Sequence, residues 1–137
     1  MTLRDLMTRH VEAAAPGETV LDARDRFRSG GFRHLPVVEH GRLVGVVSDR
    51  DLLRAAGPFL GDSEFDPDVG PGLDRTLREI MSRHPVTADP TMSIEEAADT
   101  MLREDVSALP IVDEGHLVGI VTTADVLRLA SGVERDQ

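Results

Sequence analysis

The chain has 137 residues, 40% of them hydrophobic, and a formal net charge of −10, and all 15 of its basic residues are arginine. This length and apolar content suit one soluble domain, and the absence of cysteine excludes disulfides, thiolate catalysis and cysteine metal sites. The acidic balance argues against nucleic acid or an anionic membrane as a partner, because both are bound through basic patches.

An internal repeat organises the sequence. With a shift of 74 positions, residues 2–54 align without a gap on residues 76–128, and about 21 of the 53 aligned positions are identical. Many other positions exchange one apolar residue for another, such as Val20 for Ile94. A repeat of this fidelity indicates one structural unit that is used twice.

Each copy begins with a short helix, predicted over residues 2–7 in the first, and a brief extended segment near Val11 that residues 85–87 match in the second. An amphipathic helix follows, because apolar residues recur at helical spacing. In the second copy these residues are Ile94, Ala97, Ala98, Met101 and Leu102. Thr19 and Ser93 stand before the two copies of this helix and are predicted N-caps.

Two β-branched runs come next and predict a hairpin of buried strands. In the first copy they are "LPVV" and "LVGVVS", joined by a turn at Gly41, and the second run leads directly into another helix, "DRDLLRAA". The predicted order is β-α-β-β-α, twice. Residues 57–75 form a Gly/Pro/Asp-rich linker, which leaves repeats at residues 1–56 and 76–131 and a tail at 132–137.

These motifs in this order resemble the cystathionine beta-synthase (CBS) domain, which occurs in tandem pairs. The resemblance is carried by the short helix ending at Met7, by "LPVV" at Leu35 and by "GVVSDRD" at Gly45, each with a second copy 74 residues later. It implies an α+β (α/β) fold in which two β-α-β-β-α repeats pack as a pseudo-twofold module. It also implies clefts that commonly bind adenosine derivatives.

The strand-to-helix junctions have a purely structural interpretation. Ser48 with Asp51, and Thr122 with Asp125, each fit a capping box, in which hydroxyl and acid satisfy the backbone at a helix start. Thr19 with Asp22 has the same pattern, at a helix where the family has no ribose-binding acid. A capping box therefore needs no ligand.

The junctions also have a functional interpretation. Gly45 and Gly119 stand three residues before the hydroxyl, inside a strand, where glycine often marks the close approach of a backbone or ligand. The N–H groups at a helix start suit an anion, and an ionised carboxylate accepts both hydroxyls of a ribose. By resemblance, Ser48 and Thr122 would contact phosphate, and Asp51 and Asp125 would bind ribose.

The resemblance further implies an apolar slot for adenine. Its candidate residues are Leu35, Val37, Val86, Leu109 and Ile111, although aliphatic residues of this kind usually pack in the core. Arg33, His34 and Arg50 would supply positive charge to a phosphate, unless the arginines only pair with nearby surface acids. The matching Ser107, Ala108 and Ala124 carry no charge, so the two clefts should be unequal.

Enzyme signatures are missing from the sequence. It has no nucleophile elbow, phosphate-binding loop or dinucleotide fingerprint, and no pair of histidines has metal-ligand spacing. We therefore expect no catalysis, no metal and no required cofactor. One hypothesis is a stand-alone sensor of an adenosine ligand such as AMP, ADP, ATP or S-adenosylmethionine. The alternative is a ligand-free dimerisation or adaptor module that controls a partner protein. The resemblance favours a homodimer under both.

The expected location is the cytoplasm. No apolar run approaches the roughly 20 residues that span a bilayer, and the first residues lack a basic region followed by a hydrophobic one. The sequence thus predicts neither a membrane partner nor a leader peptide.

Overall fold

The computed structural model describes residues 1–56 and 73–132 of the chain, so most of the predicted linker and nearly all of the predicted tail lie outside it. The helices in these ranges are α1 (Leu3–Leu6), α2 (Val20–Gly30), α3 (Asp49–Ala56), α4 (Leu77–Ile80), α5 (Ile94–Glu104) and α6 (Thr123–Ser131). The strands are β1 (His34–Glu39), β2 (Arg42–Ser48), β3 (Ser82–Arg83), β4 (Ala108–Asp113) and β5 (His116–Thr122).

The chain forms two compact units whose limits differ from those of the sequence repeats. The Asp51 unit consists of Glu12–Pro85, and the Asp125 unit consists of Met1–Val11 together with Val86–Gln137. Each repeat therefore gives its first short helix to the unit that contains the body of the other repeat. The Leu3 N–H donates to the Met92 carbonyl at 2.9 Å, and the Leu77 N–H donates to the Glu18 carbonyl at 2.8 Å. A single repeat does not contain all the residues of either core.

In the Asp51 unit, β1 and β2 form an antiparallel hairpin that sets His34 opposite Ser48, and β3 pairs with the other edge of β2. Helices α2, α3 and α4 complete the unit. Its buried core is Ala14, Val20, Ala23, Leu35, Val37, Val47, Leu52, Leu73, Leu77 and Met81. Leu73, which the sequence places in the linker, is thus part of the core.

The Asp125 unit repeats this arrangement. Strands β4 and β5 form the hairpin, with Ala108 opposite Thr122, and Thr8 makes a bridge to Ile120 of β5. The core contains Leu3, Leu6, Met7, Ala88, Ile94, Ala97, Met101, Leu109, Ile111 and Val121. The predicted N-caps are confirmed, since Thr19 accepts from the Asp22 N–H and Ser93 from the Glu96 N–H. Leu102, however, is exposed, so the apolar stripe of α5 is shorter than predicted.

The extended segments predicted near Val11 and residues 85–87 are reduced to single parallel bridges. Ala14 donates to the Pro36 carbonyl and accepts from the Val38 N–H. The next bonds of this ladder would need N–H groups from Pro36 and Pro16, and proline has none. Ala88 makes the same isolated bridge to Ile111, where Pro110 and Pro90 stand at the equivalent positions. Proline therefore ends each ladder after one residue.

The strand glycines Gly45 and Gly119 make room for the protein itself. A methyl group on Gly45 would lie 2.5 Å from Met81 Sδ and 2.9 Å from the Ser82 carbonyl oxygen. On Gly119 it would lie 2.6 Å from Met7 Sδ and 3.1 Å from the Thr8 carbonyl oxygen. The close approach inferred from the sequence exists, but the neighbour is a chain segment and its methionine, so these glycines are no evidence for a ligand.

Gly45→Ala and Gly119→Ala should each destabilise the fold by about 1–3 kcal/mol, because an added methyl in a filled site forces its neighbours to move. Gly17→Ala is the control, since a methyl there would meet nothing within 4 Å. Urea unfolding measures all three. Unfolding midpoints for the strand variants equal to that of Gly17→Ala would contradict the packing argument.

Candidate functional site

Two equivalent sites lie where a strand passes into a helix. Ser48 is the last residue of β2 and Thr122 the last residue of β5, and α3 and α6 start at the next residue. The hydroxyl residues are half-buried, whereas Asp51 and Asp125 are among the buried residues. The strand register fixes the hydroxyl, and the first helical turn brings the acid back onto it.

Both junctions form the predicted capping box. Asp51 Oδ2 accepts from the Ser48 N–H at 2.8 Å and from the Ser48 hydroxyl at 3.1 Å, and Ser48 Oγ accepts from the Asp51 N–H at 3.3 Å. The same three distances at Thr122 and Asp125 are 2.9, 3.0 and 3.2 Å. The structural interpretation of the motif is thus confirmed in both repeats, and it uses one oxygen of each carboxylate.

The other carboxylate oxygen binds an arginine from the next helical turn. Arg54 Nη2 donates to Asp51 Oδ1 at 2.6 Å, and Arg128 Nη1 donates to Asp125 Oδ1 at 3.3 Å. The arginine side chains are 75% and 53% exposed, and the acids only 11% and 7%. Sequence analysis missed both arginines. The available signal was their spacing of three from the acid, since residues three apart are neighbours on a helix, together with their match through the repeat.

The helix starts offer fewer N–H groups to an anion than the sequence suggests. The Asp49 N–H donates to the Arg33 carbonyl at 3.1 Å, and the Thr123 N–H donates to the Ser107 carbonyl at 3.0 Å. The third N–H of each helix is used by the capping box. Two of the first three amides are therefore already bonded, one to the carbonyl of the residue that precedes β1 or β4 and one to the hydroxyl of the capping box.

The charged candidates all lie on the Asp51 unit. His34 is half-buried at the start of β1, and Arg33 and Arg50 are exposed. Burial lowers the pKa of His34, and the nearby Arg33 adds to this effect, whereas Asp49 and Asp51 oppose it. His34 is thus biased towards its neutral form, and Ala108 has no comparable group.

The side chains proposed for adenine are core residues. Leu35, Val37, Leu109 and Ile111 have no exposed surface, and Val86 packs partly buried against the core of the Asp125 unit. The fully buried side chains cannot touch a ligand in this conformation, because each is enclosed by its own unit. Any contact from β1 or β4 would have to use other atoms of those strands.

Other classes of site are not found where the structure is described. Residues 1–56 and 73–132 contain no group of three or more His, Cys, Asp or Glu side chains placed to hold a metal. None of the helices in those ranges is long and apolar enough to cross a membrane.

Comparison with known sequences identifies the family. The family model of the CBS domain matches residues 3–57 and 77–132, which is most of the chain. The protein belongs to the CBS domain family. The resemblance inferred from the motifs is confirmed. A related protein, MJ1225 of Methanocaldococcus jannaschii, is 36% identical over 126 residues, covering 90% of this chain. The chain spans only 45% of that relative's length.

Solved CBS structures share the fold. The CBS domain pair of protein MJ0100, in complex with 5′-methylthioadenosine and S-adenosyl-L-methionine, is 26% identical with a TM-score of 0.82, and the match covers 98% of both chains. CBSX2 in complex with AMP is 29% identical with a TM-score of 0.79, again over 98% of both chains. The predicted α+β fold of a CBS pair is therefore confirmed.

The lowered pKa of His34 predicts a specific loss of stability in acid. The unfolded chain takes up a proton near pH 6.5 while the folded chain resists it, so the free energy of unfolding falls as the pH drops below about 6.5. His34→Ala, which copies Ala108, should flatten this dependence. Urea unfolding at pH 7.5 and 5.5 measures the effect. A loss of packing would lower the free energy of unfolding equally at pH 7.5 and at pH 5.5. An identical pH dependence in the parent protein and in His34→Ala would therefore contradict the prediction.

Proposed function

We propose that the chain is a cytoplasmic regulatory module that binds an adenosine-containing ligand, of the AMP, ADP, ATP or S-adenosylmethionine type, at its two strand-to-helix junctions. It acts without catalysis and without a required cofactor. The observation that carries the proposal is the pair of buried, repeat-matched carboxylates, each beside a hydroxyl and each with one oxygen outside the capping box. The complexes of MJ0100 and CBSX2 support the ligand class.

Burial makes these acids suitable ribose acceptors. A hydrogen bond to an ionised acceptor is about twice as strong as a neutral one, and it strengthens further where water is excluded. Asp22 has the same capping box at Thr19 but is exposed. Asp51 and Asp125 therefore differ from an ordinary cap in their surroundings, although the sequence motif is nearly the same.

The two sites should prefer different ligands. Arg33, His34 and Arg50 can offer positive charge to a phosphate at the Asp51 site, whereas Ser107, Ala108 and Ala124 stand at the equivalent positions of the Asp125 site. A ligand with a longer phosphate tail should thus favour Asp51. A neutral His34 would gain a proton when a phosphate binds beside it, because an opposite charge favours the charged form.

Asp51→Asn and Asp125→Asn should weaken AMP binding at their own sites at least tenfold, since each replaces a charged acceptor in a buried hydrogen bond. A bound ligand at about 100 times its Kd stabilises a protein by about 2.7 kcal/mol, so a thermal shift with AMP, ADP, ATP or S-adenosylmethionine screens for binding, and calorimetry then gives affinities.

Asp22→Asn is the matched control, because it changes the same capping box away from the proposed sites. It should lower stability modestly and leave affinity unchanged. Equal affinities in all three variants would refute the ribose role, and no response to any of the four ligands would refute the sensor function for them.

A second function, the ligand-free dimerisation or adaptor module controlling a partner protein, is favoured by two observations. The capping boxes satisfy the junctions without a ligand. In addition, Leu53 of α3 and Leu127 of α6 are exposed and match through the repeat. Exposed leucines at equivalent positions suit a homodimer, which we propose for both functions.

Leu53→Glu and Leu127→Glu should shift the protein from dimer to monomer, because each puts a charge into the proposed apolar contact. Leu102→Glu is the control, since Leu102 is also exposed but lies on α5. Analytical ultracentrifugation gives the mass. A monomeric parent protein, or variants that remain as dimeric as Leu102→Glu, would show that these leucines form no such interface.

A further inference from the structure

The proposed ribose acceptor is already occupied. An ionised carboxylate offers about four lone-pair positions, and Asp51 uses three of them on the Ser48 N–H, the Ser48 hydroxyl and Arg54. A ribose presents two neighbouring hydroxyls. Only one of the four positions is left, which is too few for both hydroxyls. A partner of Asp51 therefore has to leave before the ribose can bind. Asp125 has at least the corresponding three partners, so the same limit holds there.

Arg54 is the partner that can leave at least cost. The Ser48 contacts hold the start of α3, so breaking them would remove the cap of the helix, whereas breaking the Arg54 contact leaves the cap intact. Arg54 is mostly exposed on a flexible stem, and the acid beneath it is nearly buried. The guanidinium is thus the movable group covering the oxygen that the ribose needs.

We propose that Arg54 and Arg128 determine the specificity of the two sites by competing with ribose for the carboxylates of Asp51 and Asp125. This inference rests on the proposed function. A neutral nucleoside has to break the ion pair, and it has no anionic group to which the displaced arginine could bind. A ligand with a phosphate offers the displaced guanidinium a new anion, and arginine suits phosphate geometry. The arginines therefore select against uncharged nucleosides and for nucleotides.

The two competitors differ in strength. The Arg54 contact is 2.6 Å and the Arg128 contact 3.3 Å, so the selection against neutral ligands is stronger at Asp51. The same unit carries Arg33, His34 and Arg50 near the junction. Charge selection is thus concentrated at one of two sites that share a motif.

Calorimetry with adenosine and AMP tests the proposal on the full chain and on Arg54→Met/Arg128→Met, which keeps length and removes charge. Adenosine should bind the double variant at least about twofold more tightly, because it no longer has to break an ion pair to a nearly buried acid. AMP should gain less or lose affinity, so the preference for AMP over adenosine falls. Arg103→Met removes another arginine–aspartate pair within a helix, to Asp99 on α5, and should change neither affinity.

Salt provides a second measurement that needs no variant. Adenosine is uncharged, yet its affinity for the parent protein should rise between 0.1 and 1 M salt, as the Debye length falls from about 10 to about 3 Å and the competing ion pairs weaken. The double variant should lose this rise. A merely structural role of the arginines predicts the same salt effect on adenosine affinity in the parent protein and in the double variant.

The possible negative results distinguish a failure of the proposed function from a failure of the competition by the arginines. If the parent protein binds neither adenosine nor AMP, the proposed function is wrong and the competition with it. If the parent binds but its adenosine affinity is insensitive to salt, or the variant binds adenosine no more tightly than Arg103→Met does, only the competition is wrong. If the double variant does not fold, the single variants Arg54→Met and Arg128→Met replace it in both measurements.

Discussion

A buried carboxylate in the first turn of a helix organises each junction of this protein. Asp51 takes the N–H and hydroxyl of Ser48 on one oxygen and Arg54 on the other, and its own N–H returns to the Ser48 hydroxyl. This closed set of bonds fixes where β2 ends and α3 begins. It also buries a carboxylate, which is tolerated because hydrogen-bond partners satisfy it. The stability of the junction and its capacity for a ligand therefore depend on the same atoms.

The comparison of Asp51 with Asp22 shows the limit of the motif. Both acids close a capping box with a hydroxyl three residues earlier, at 2.8 Å and 2.9 Å to its N–H. Asp51 is buried beside a hairpin, and Asp22 lies on the exposed surface of α2. The core of the unit that contains α3 includes residues far away in the sequence, such as Leu73 and Met81. A local pattern predicts the cap, and only the folded unit distinguishes a cap from a candidate site.

The sequence predicts the hairpins, the N-caps at Thr19 and Ser93 and the capping boxes at the two junctions. Each of these features depends on residues close together in the chain, spaced by two in a strand or by about four in a helix. The exchange of the short helices α1 and α4 between the two units could not be predicted. Leu3 and Met92 are far apart in the chain, and the repeat gives no reason for a short helix to join one core and not the other. The shortened first strand was predictable in principle from Pro16 and Pro36. The packing role of Gly45 could be recognised only from the position of Met81 in the fold. The role of Arg54 could be recognised only from the hydrogen bonds that Asp51 makes.

Comparison of the two copies distinguishes residues that the fold requires from residues whose charge a ligand would experience. Residues that fill the cores or close the junctions are identical or similar in the second copy, because both units solve the same packing problem: Leu35 and Asp51 are identical, and Ser48 is replaced by Thr122. Arg33, His34 and Arg50 have uncharged counterparts at Ser107, Ala108 and Ala124. The two copies therefore differ in charge around a shared acid. In the proposed function, the shared acid would fix where a ribose binds, and the surrounding charges would determine which ligand each copy accepts.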